Sequence, residues 1–254
     1  MSRVFYARLR KACMDAHIAQ WIGSRADQED SYAVRHFPEG SLAVVCDGMG
    51  GHDHGKLASS TAAEVFVRSF EESSATEELT VRLRQALDAA DEAVGELFRD
   101  GGYGGTTLVG AFITHRSVLW ISVGDSGLYL YRGGRIRRLN EDHSMRAVMR
   151  RLAGGYGAGS SFASGFGNML RSAVSGEALS LVDAPQYACP LLPGDCLLLA
   201  SDGADEVLES HSTLGVTALR AAGQSPAAAV VDACHALEDP YADNVTVVSL
   251  SLGR

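Results

Sequence analysis

Four apolar runs in this chain each meet an aspartate at one end, and few folds can accommodate that arrangement. Ala43-Val44-Val45-Cys46 runs into Asp47-Gly48, and Trp120-Ile121-Ser122-Val123 runs into Gly124-Asp125. Leu197-Leu198-Leu199-Ala200 runs into Ser201-Asp202-Gly203, and Asp243-Asn244 precedes Val245-Thr246-Val247-Val248. A strand without polar alternation is covered on both faces, so a carboxylate at its last turn is held at the rim of a core. Several carboxylates meeting at one rim repel each other unless cations sit between them. Hard oxygen donors of this kind select Mg²⁺ or Mn²⁺ rather than zinc, which prefers His and Cys. Turn chemistry alone explains any single Asp-Gly. Four strand-end aspartates together point to a shared site.

Around these runs the pattern predicts strands at Ser31–His36, Ser41–Cys46, Thr106–Thr114, Ser117–Val123, Gly127–Tyr131, Asp195–Ala200 and Val245–Leu252. Helices are predicted over Lys56–Glu72 and Glu78–Asp100, where leucine and alanine recur as one stripe. Ser225-Pro226 gives an N-cap and a first-turn proline for a helix to about Glu238. Arg132-Gly133-Gly134-Arg135 reads as a hairpin turn. Strands fall mostly in adjacent pairs with helices in two blocks, which suggests a layered antiparallel α+β architecture rather than a Rossmann sheet. Gly154–Gly167, with six glycines, reads as a mobile surface loop.

The chain has 254 residues, which suits one large domain, and 46% of them are apolar, enough for a sizeable core. Its net charge of −9 argues against binding a nucleic-acid backbone. The five cysteines show no C-x-x-C spacing, and Cys46 and Cys196 sit inside apolar runs, so a reducing compartment fits better than a disulfide framework. Arg3, Arg8, Arg10 and Lys11 are not followed by an apolar stretch, as a secretory signal requires, and no run approaches a membrane span. The expectation is a cytoplasmic protein with no membrane or nucleic-acid partner.

Arg25-Ala26-Asp27-Gln28-Glu29-Asp30-Ser31 supplies a guanidinium with two acids close behind it, a set able to bind phosphate and support a metal site. With this block and the strand-end aspartates together, the chain resembles the PPM family, the metal-dependent protein phosphatases of the 2C type, in its bacterial branch. The matching blocks run in family order over nearly the whole chain: Arg25–Ser31, VCDGMGGHDHGKLAS from Val45, GGTTL from Gly104, VGDSG from Val123, EDHS from Glu141, NMLRSAVSG from Asn168, LASDGADE from Leu199 and DNVTV from Asp243.

The resemblance implies a single catalytic domain over 1–254, a four-layer α-β-β-α sandwich of two mostly antiparallel sheets flanked by helices, with a flap at about 145–170. It implies two tightly bound Mn²⁺ or Mg²⁺ ions and a weaker third. Asp47 would bridge the two ions, the Gly48 carbonyl would bind one, and Asp202 and Asp243 would hold the other. Glu29 would act through water and Asp30 behind the ligands. Asp125 with Asp202 would form the third site, and Arg25 would hold the phosphate. The catalytic set would be Arg25, Asp47, Asp202 and Asp243. Substrates would be phosphoproteins modified by a bacterial serine/threonine kinase, hydrolysed by a monomer using cation-activated water.

Some positions depart from the family pattern. Gln28 stands where Asn is frequent, Met49 replaces the histidine that animal members carry as a proposed general acid, Asp205 takes an apolar or Thr position, and Glu206 replaces Asp. Leaving-group protonation is left open between His52 and a water in the site. Gly50–Lys56 imitates a P-loop, but Leu57 lacks the required hydroxyl. Gly124-Asp125-Ser126-Gly127 imitates a trypsin-like nucleophile block without the other parts of that machinery. His52 and His54 read as exposed, and Trp21 and Trp120 as core or sheet-edge residues. Two rival readings remain, a catalytically inactive phosphoprotein binder and a phosphatase of a small phosphorylated metabolite.

Overall fold

The computed structural model describes residues 4–11, 14–51, 53–152, 169–220 and 223–253. Strand β4, Ser41–Met49, shows how the layers arise. Its alternate residues Leu42, Val44 and Cys46 point into one core, while Ala43 and Val45 point into another. The first core packs helices α1 (Asp53–Glu72) and α2 (Leu79–Leu97) on that sheet, through Phe66, Phe70, Leu83 and Leu87. The second lies between two sheets and joins Val45, Val109 and Trp120 to Ile18, Leu128, Leu197 and Leu250. A third covers the outer face of the other sheet with the helix Pro226–His235 and the turns after Asp202. Three cores between four layers give the expected α-β-β-α sandwich.

The front sheet has the order β1 (Val4–Lys11), β2 (Met14–Trp21), β12 (Val245–Leu252), β11 (Cys196–Ala200), β8 (Gly127–Arg132), β9 (Arg135–Arg138), and the back sheet β10 (Cys189–Pro190), β7 (Ser117–Val123), β6 (Leu108–Ile113), β4, β3 (Asp30–His36), with β5 (Gly105–Thr106) added to β4. Every strand pairing among the described residues is antiparallel. The expected strands are all present: β3 (Asp30–His36), β4, β6 (Leu108–Ile113), β7 (Ser117–Val123), β8 (Gly127–Arg132), β11 (Cys196–Ala200) and β12 (Val245–Leu252). The anticipated Thr106–Thr114 strand is interrupted at Thr107, whose backbone N–H leaves the ladder to donate to the Asp47 carbonyl. Gly133 and Gly134 both have positive φ, at 57° and 77°, as the β8–β9 turn demands. The Ser225 side chain caps the helix Pro226–His235 through the Ala228 N–H, and that helix stops short of Glu238.

Two strands come as corrections to the sequence reading. β1 (Val4–Lys11) and β2 (Met14–Trp21) form a hairpin, and β2 lies well inside the front sheet against β12. The period-2 burial of Met14, Ala16 and Ile18 is a strand signature, but intervening Asp15, His17 and Gln20 break up the apolar run. Trp21 and Trp120 are buried, and Trp120 Nε1 donates to Asp183 at 2.9 Å. Cys46, Cys189, Cys196 and Cys234 are free thiols. No helix among the described residues is long and apolar enough to cross a membrane. Gly154–Gly167, expected as a flap, and His52 lie outside the described residues.

Candidate metal centre

Antiparallel pairing brings the aspartates together. β11 runs toward its C-terminal end at Ala200, opposite Gly127 at the start of β8 and Val247 near the start of β12. Asp202 just past β11, Asp125 just before β8 and Asp243 just before β12 therefore share one rim of the front sheet. In the back sheet Asp30, the first residue of β3, faces Asp47 directly across the β3–β4 ladder. Like charges directly opposite destabilise a strand pair, and the two sheets bring both acids to the same end of the sandwich.

The surrounding hydrogen bonds fix these positions. The Asp47 N–H donates to Thr107 Oγ1 at 2.9 Å, and its carbonyl accepts from Thr106 Oγ1 at 2.9 Å. Ser201 Oγ donates to Asp30 Oδ2 at 2.8 Å. Asn244 staples the Arg25 block to the start of β12: its Oδ1 accepts from the Glu29 N–H at 2.7 Å, and its Nδ2 donates to the Ile22 and Asp27 carbonyls. Arg25 donates to Asp243 Oδ2 at 2.6 Å. The Gly48 backbone lies so close to Gly55 in α1 that a Cβ at position 48 would stand 2.1 Å from the Gly55 carbonyl oxygen. Glu29 Oε2 in turn sits against Gly55. Gly48→Ala should therefore cost about 1–3 kcal/mol or more of stability by overpacking. A urea midpoint equal to wild type would show that this contact has room to yield.

Charge is concentrated at the rim. Burial, followed by repulsion from Asp30, Asp202, Asp125 and Asp243, pushes the Asp47 carboxyl well above its usual range. Burial and Asp243 raise Asp202, while Arg146, a hydrogen bond with Asp47 and Arg25 pull it back. Asp30 is pushed up to about 7 by burial and by Asp202 and Asp243, against hydrogen bonds from Thr246 and Ser201. Asp125, only 5% exposed, rises to about 8 through burial and the charges of Asp202, Asp205 and Asp142. Among the described residues no three side chains already enclose an ion. The donor set nevertheless fits divalent cations, because it is all oxygen and contains touching carboxylates that repel each other until a positive charge lies between them. A cleft of about 820 Å³ opens over Asp47, Asp125, Asp202 and Asp243, with Arg25 at its edge and residues 102–105 and 169–180 as walls.

The structure thus brings together Arg25, Glu29, Asp30, Asp47, Gly48, Asp125, Asp202 and Asp243. His54, in α1, packs its ring edge-on against Phe98 rather than toward these acids. Thr106, Thr107, Ser201 and Asn244, which hold the acids in place, were not singled out from the sequence as site residues. Arg146 was also missed. It contacts Asp205 and lies beside Asp125.

The sequence profile of the family described as Protein phosphatase 2C matches residues 20–225. The chain belongs to the protein phosphatase 2C family. A serine/threonine phosphatase stp of Listeria monocytogenes is 31% identical over 188 residues, covering 68% of this chain and 73% of the relative. The PPM Ser-Thr phosphatase MsPP from Mycobacterium smegmatis, solved with cacodylate, superposes with a TM-score of 0.69 at 25% identity, covering 99% of this chain and 98% of that one. The catalytic domain of the serine threonine protein phosphatase PstP, solved with two manganese ions, superposes with a TM-score of 0.70 at 22% identity over 100% of this chain and 99% of that one. The family match runs from Gln20, at the end of β2, to Ser225, so every protein phosphatase 2C block from the Arg25 segment to Asp202 lies inside it.

Proposed function

We propose that this chain is a serine/threonine protein phosphatase that hydrolyses phosphoserine and phosphothreonine in proteins with cation-activated water. The observation that carries this reading is the convergence of buried strand-end aspartates, with Asp47 and Asp202 in contact, at the floor of an open cleft in a protein phosphatase 2C chain. Asp47 and the Gly48 carbonyl would hold one divalent ion, and Asp47, Asp202 and Asp243 the other. Glu29 and Asp30 would support them, and Asp125 with Asp202 would offer a third site. Bound there, Mn²⁺ or Mg²⁺ would polarise the phosphoryl oxygens and lower the pKa of a water. The chain's own residues position the rest: Thr106 and Thr107 fix the Asp47 backbone, and Asn244 holds the Arg25 block against the rim. The four unpaired cysteines among the described residues fit a reducing cytoplasm, and the substrates would be targets of a bacterial serine/threonine kinase. We take the active unit to be a monomer.

The test is metal-dependent hydrolysis of p-nitrophenyl phosphate followed by a phosphopeptide panel. Activity on phosphopeptides is expected. Turnover of small phosphorylated metabolites alone would replace the protein-substrate reading, and no activity with either ion would turn the chain into a binder. The intact set of rim carboxylates argues against that last outcome.

Arg25 gives a narrower prediction. Its guanidinium is exposed and reaches Asp243 at the cleft edge, where it can donate paired hydrogen bonds to phosphate oxygens, a geometry that lysine does not reproduce. Arg25→Ala should lower kcat/KM by roughly 10- to 100-fold, the equivalent of a charge-assisted hydrogen bond of about 1.5–3 kcal/mol, while sparing metal binding. Unchanged kinetics in both Arg25→Ala and Arg25→Lys would reduce Arg25 to a surface charge.

A further inference from the structure

Beside the centre, two helical segments are joined by a two-rung ladder of ion pairs. Helix α3 (Met145–Leu152) carries Arg146 and Arg150 one turn apart. Asp205 and Glu209 have the same four-residue spacing on the segment after Asp202. Arg146 donates to Asp205 Oδ2 at 2.9 Å, and Arg150 donates to Glu209 Oε2 at 2.8 Å. The Tyr129 hydroxyl donates to the other Asp205 oxygen at 2.8 Å, so both oxygens of this buried carboxylate are engaged and its position is fixed. The guanidinium it holds lies 4.0 Å from Asp125 Oδ2. Arg146 Nε is buried with no acceptor among the described residues, so its placement follows from the ion pairs rather than from full hydrogen bonding.

We propose that Arg146, held by Asp205, is a built-in cation at the Asp125–Asp202 side of the centre, where it supplies positive charge and weakens binding of a third divalent ion. Arg146 is a positioning residue in this scheme: it acts on Asp125 and, through its field, on Asp202. Two like charges cannot share the neighbourhood of Asp125 without one weakening the other. This inference rests on the reading of Asp125 and Asp202 as metal-facing carboxylates. It explains the pairing of an acid at position 205 with an arginine on the facing helix, which the two-ion chemistry alone does not require.

The experiment is Mn²⁺ titration of the metal-stripped full chain, followed by calorimetry and by the free-ion electron paramagnetic resonance signal. Wild type should bind two ions tightly and a third weakly. Arg146→Met and Arg146→Gln should bind the third at least tenfold more tightly, and Arg146→Lys should stay near wild type. Arg146→Gln keeps a hydrogen-bond donor for Asp205 and serves if Arg146→Met fails to fold. Arg150→Gln removes the same charge one turn away, at the Glu209 rung, and should leave the third ion unchanged. Third-ion affinity in both neutral variants within twofold of wild type, or weaker than wild type, overturns the proposal while leaving the two-ion centre standing. An equal gain in Arg150→Gln overturns it too, by reducing the effect to net charge. Failure of wild type to bind any Mn²⁺ would remove the metal-centre reading itself, and this inference with it.

Discussion

Asp47→Ala and Asp202→Ala should each lower kcat/KM for p-nitrophenyl phosphate by about 10²- to 10³-fold, the scale on which loss of a preorganised electrostatic element acts. The expectation follows from position. Asp47 is anchored at its backbone by both Thr106 and Thr107, Asp202 lies just past the end of β11, and the two carboxylates touch. The same variants should lose Mn²⁺ affinity yet remain folded, because what is removed is a repelled, desolvated charge rather than a packing element. In excess chelator their melting temperatures should match or exceed that of wild type, since an uncompensated acid at a rim destabilises the fold that holds it. Near-normal turnover in either variant, or full wild-type turnover in chelator, would end the two-cation mechanism.

Stability of the metal-free protein should fall as pH rises from about 4 to about 8. The sign follows from the acids at the rim. Asp30, with its pKa near 7, and Asp125, near 8, hold protons in the folded state at pH values where an unfolded aspartate has released them. Unfolding therefore releases protons across that window, and the folded state loses its advantage as pH climbs through the raised values. Asp47 and Asp205 act in the same direction. His143 opposes them, because burial lowers its pKa and an unfolded histidine would bind a proton below about 6.5. Glu209 and Asp195, held below their usual range, oppose them only at the acid end of the window, and the raised carboxylates outnumber His143, so the net slope should be negative. Each kcal/mol lost lowers the melting temperature by about 2–4 °C for a domain of this size. Saturating Mn²⁺ should reverse the slope, because ligation favours the ionised carboxylates. Thermal melts at pH 5, 6, 7 and 8 with chelator and with Mn²⁺ decide it, and parallel curves in the two conditions would refute the electrostatic account.

What the sequence made legible was governed by burial on both sides. β4, β6, β7 and β11 are covered by a core on each face, so their residues are apolar without alternation and the aspartates at the ends of β4, β7 and β11 stand out. β1 and β2 were less legible. β1 is an edge strand with Phe5, Tyr6 and Leu9 exposed, and in β2 polar residues interrupt the inward-facing Met14, Ala16 and Ile18. The strand break at Thr107 has no compositional mark, because threonine suits a strand as well as the side-chain bond it makes to the Asp47 N–H. The Arg146–Asp205 rung joins positions 59 residues apart, so neither residue signals the other until the fold is known. Its one local hint is the shared four-residue spacing of Arg146 with Arg150 and of Asp205 with Glu209.

The pairing of β2 with β12 has a consequence for synthesis. Trp21 meets Val245 and Met14 meets Leu252, so an early strand of the front sheet waits for the latest one to emerge. Asn244 likewise ties down the Ile22 and Asp27 carbonyls and the Glu29 N–H only after more than two hundred further residues have been made. A nascent chain that has released β11 already carries Asp30, Asp47 and Asp125, but it lacks both Asp243 and the strand that inserts between β2 and β11. Pairings this distant in sequence slow folding, because loop closure is paid in full before any contact returns it. Until β12 docks, the edges of β2 and β11 stand open in the middle of the future sheet, where they can pair with other chains. Completion of that one strand closes the sheet and delivers the last carboxylate together, so hydrolytic competence arrives with the fold rather than ahead of it.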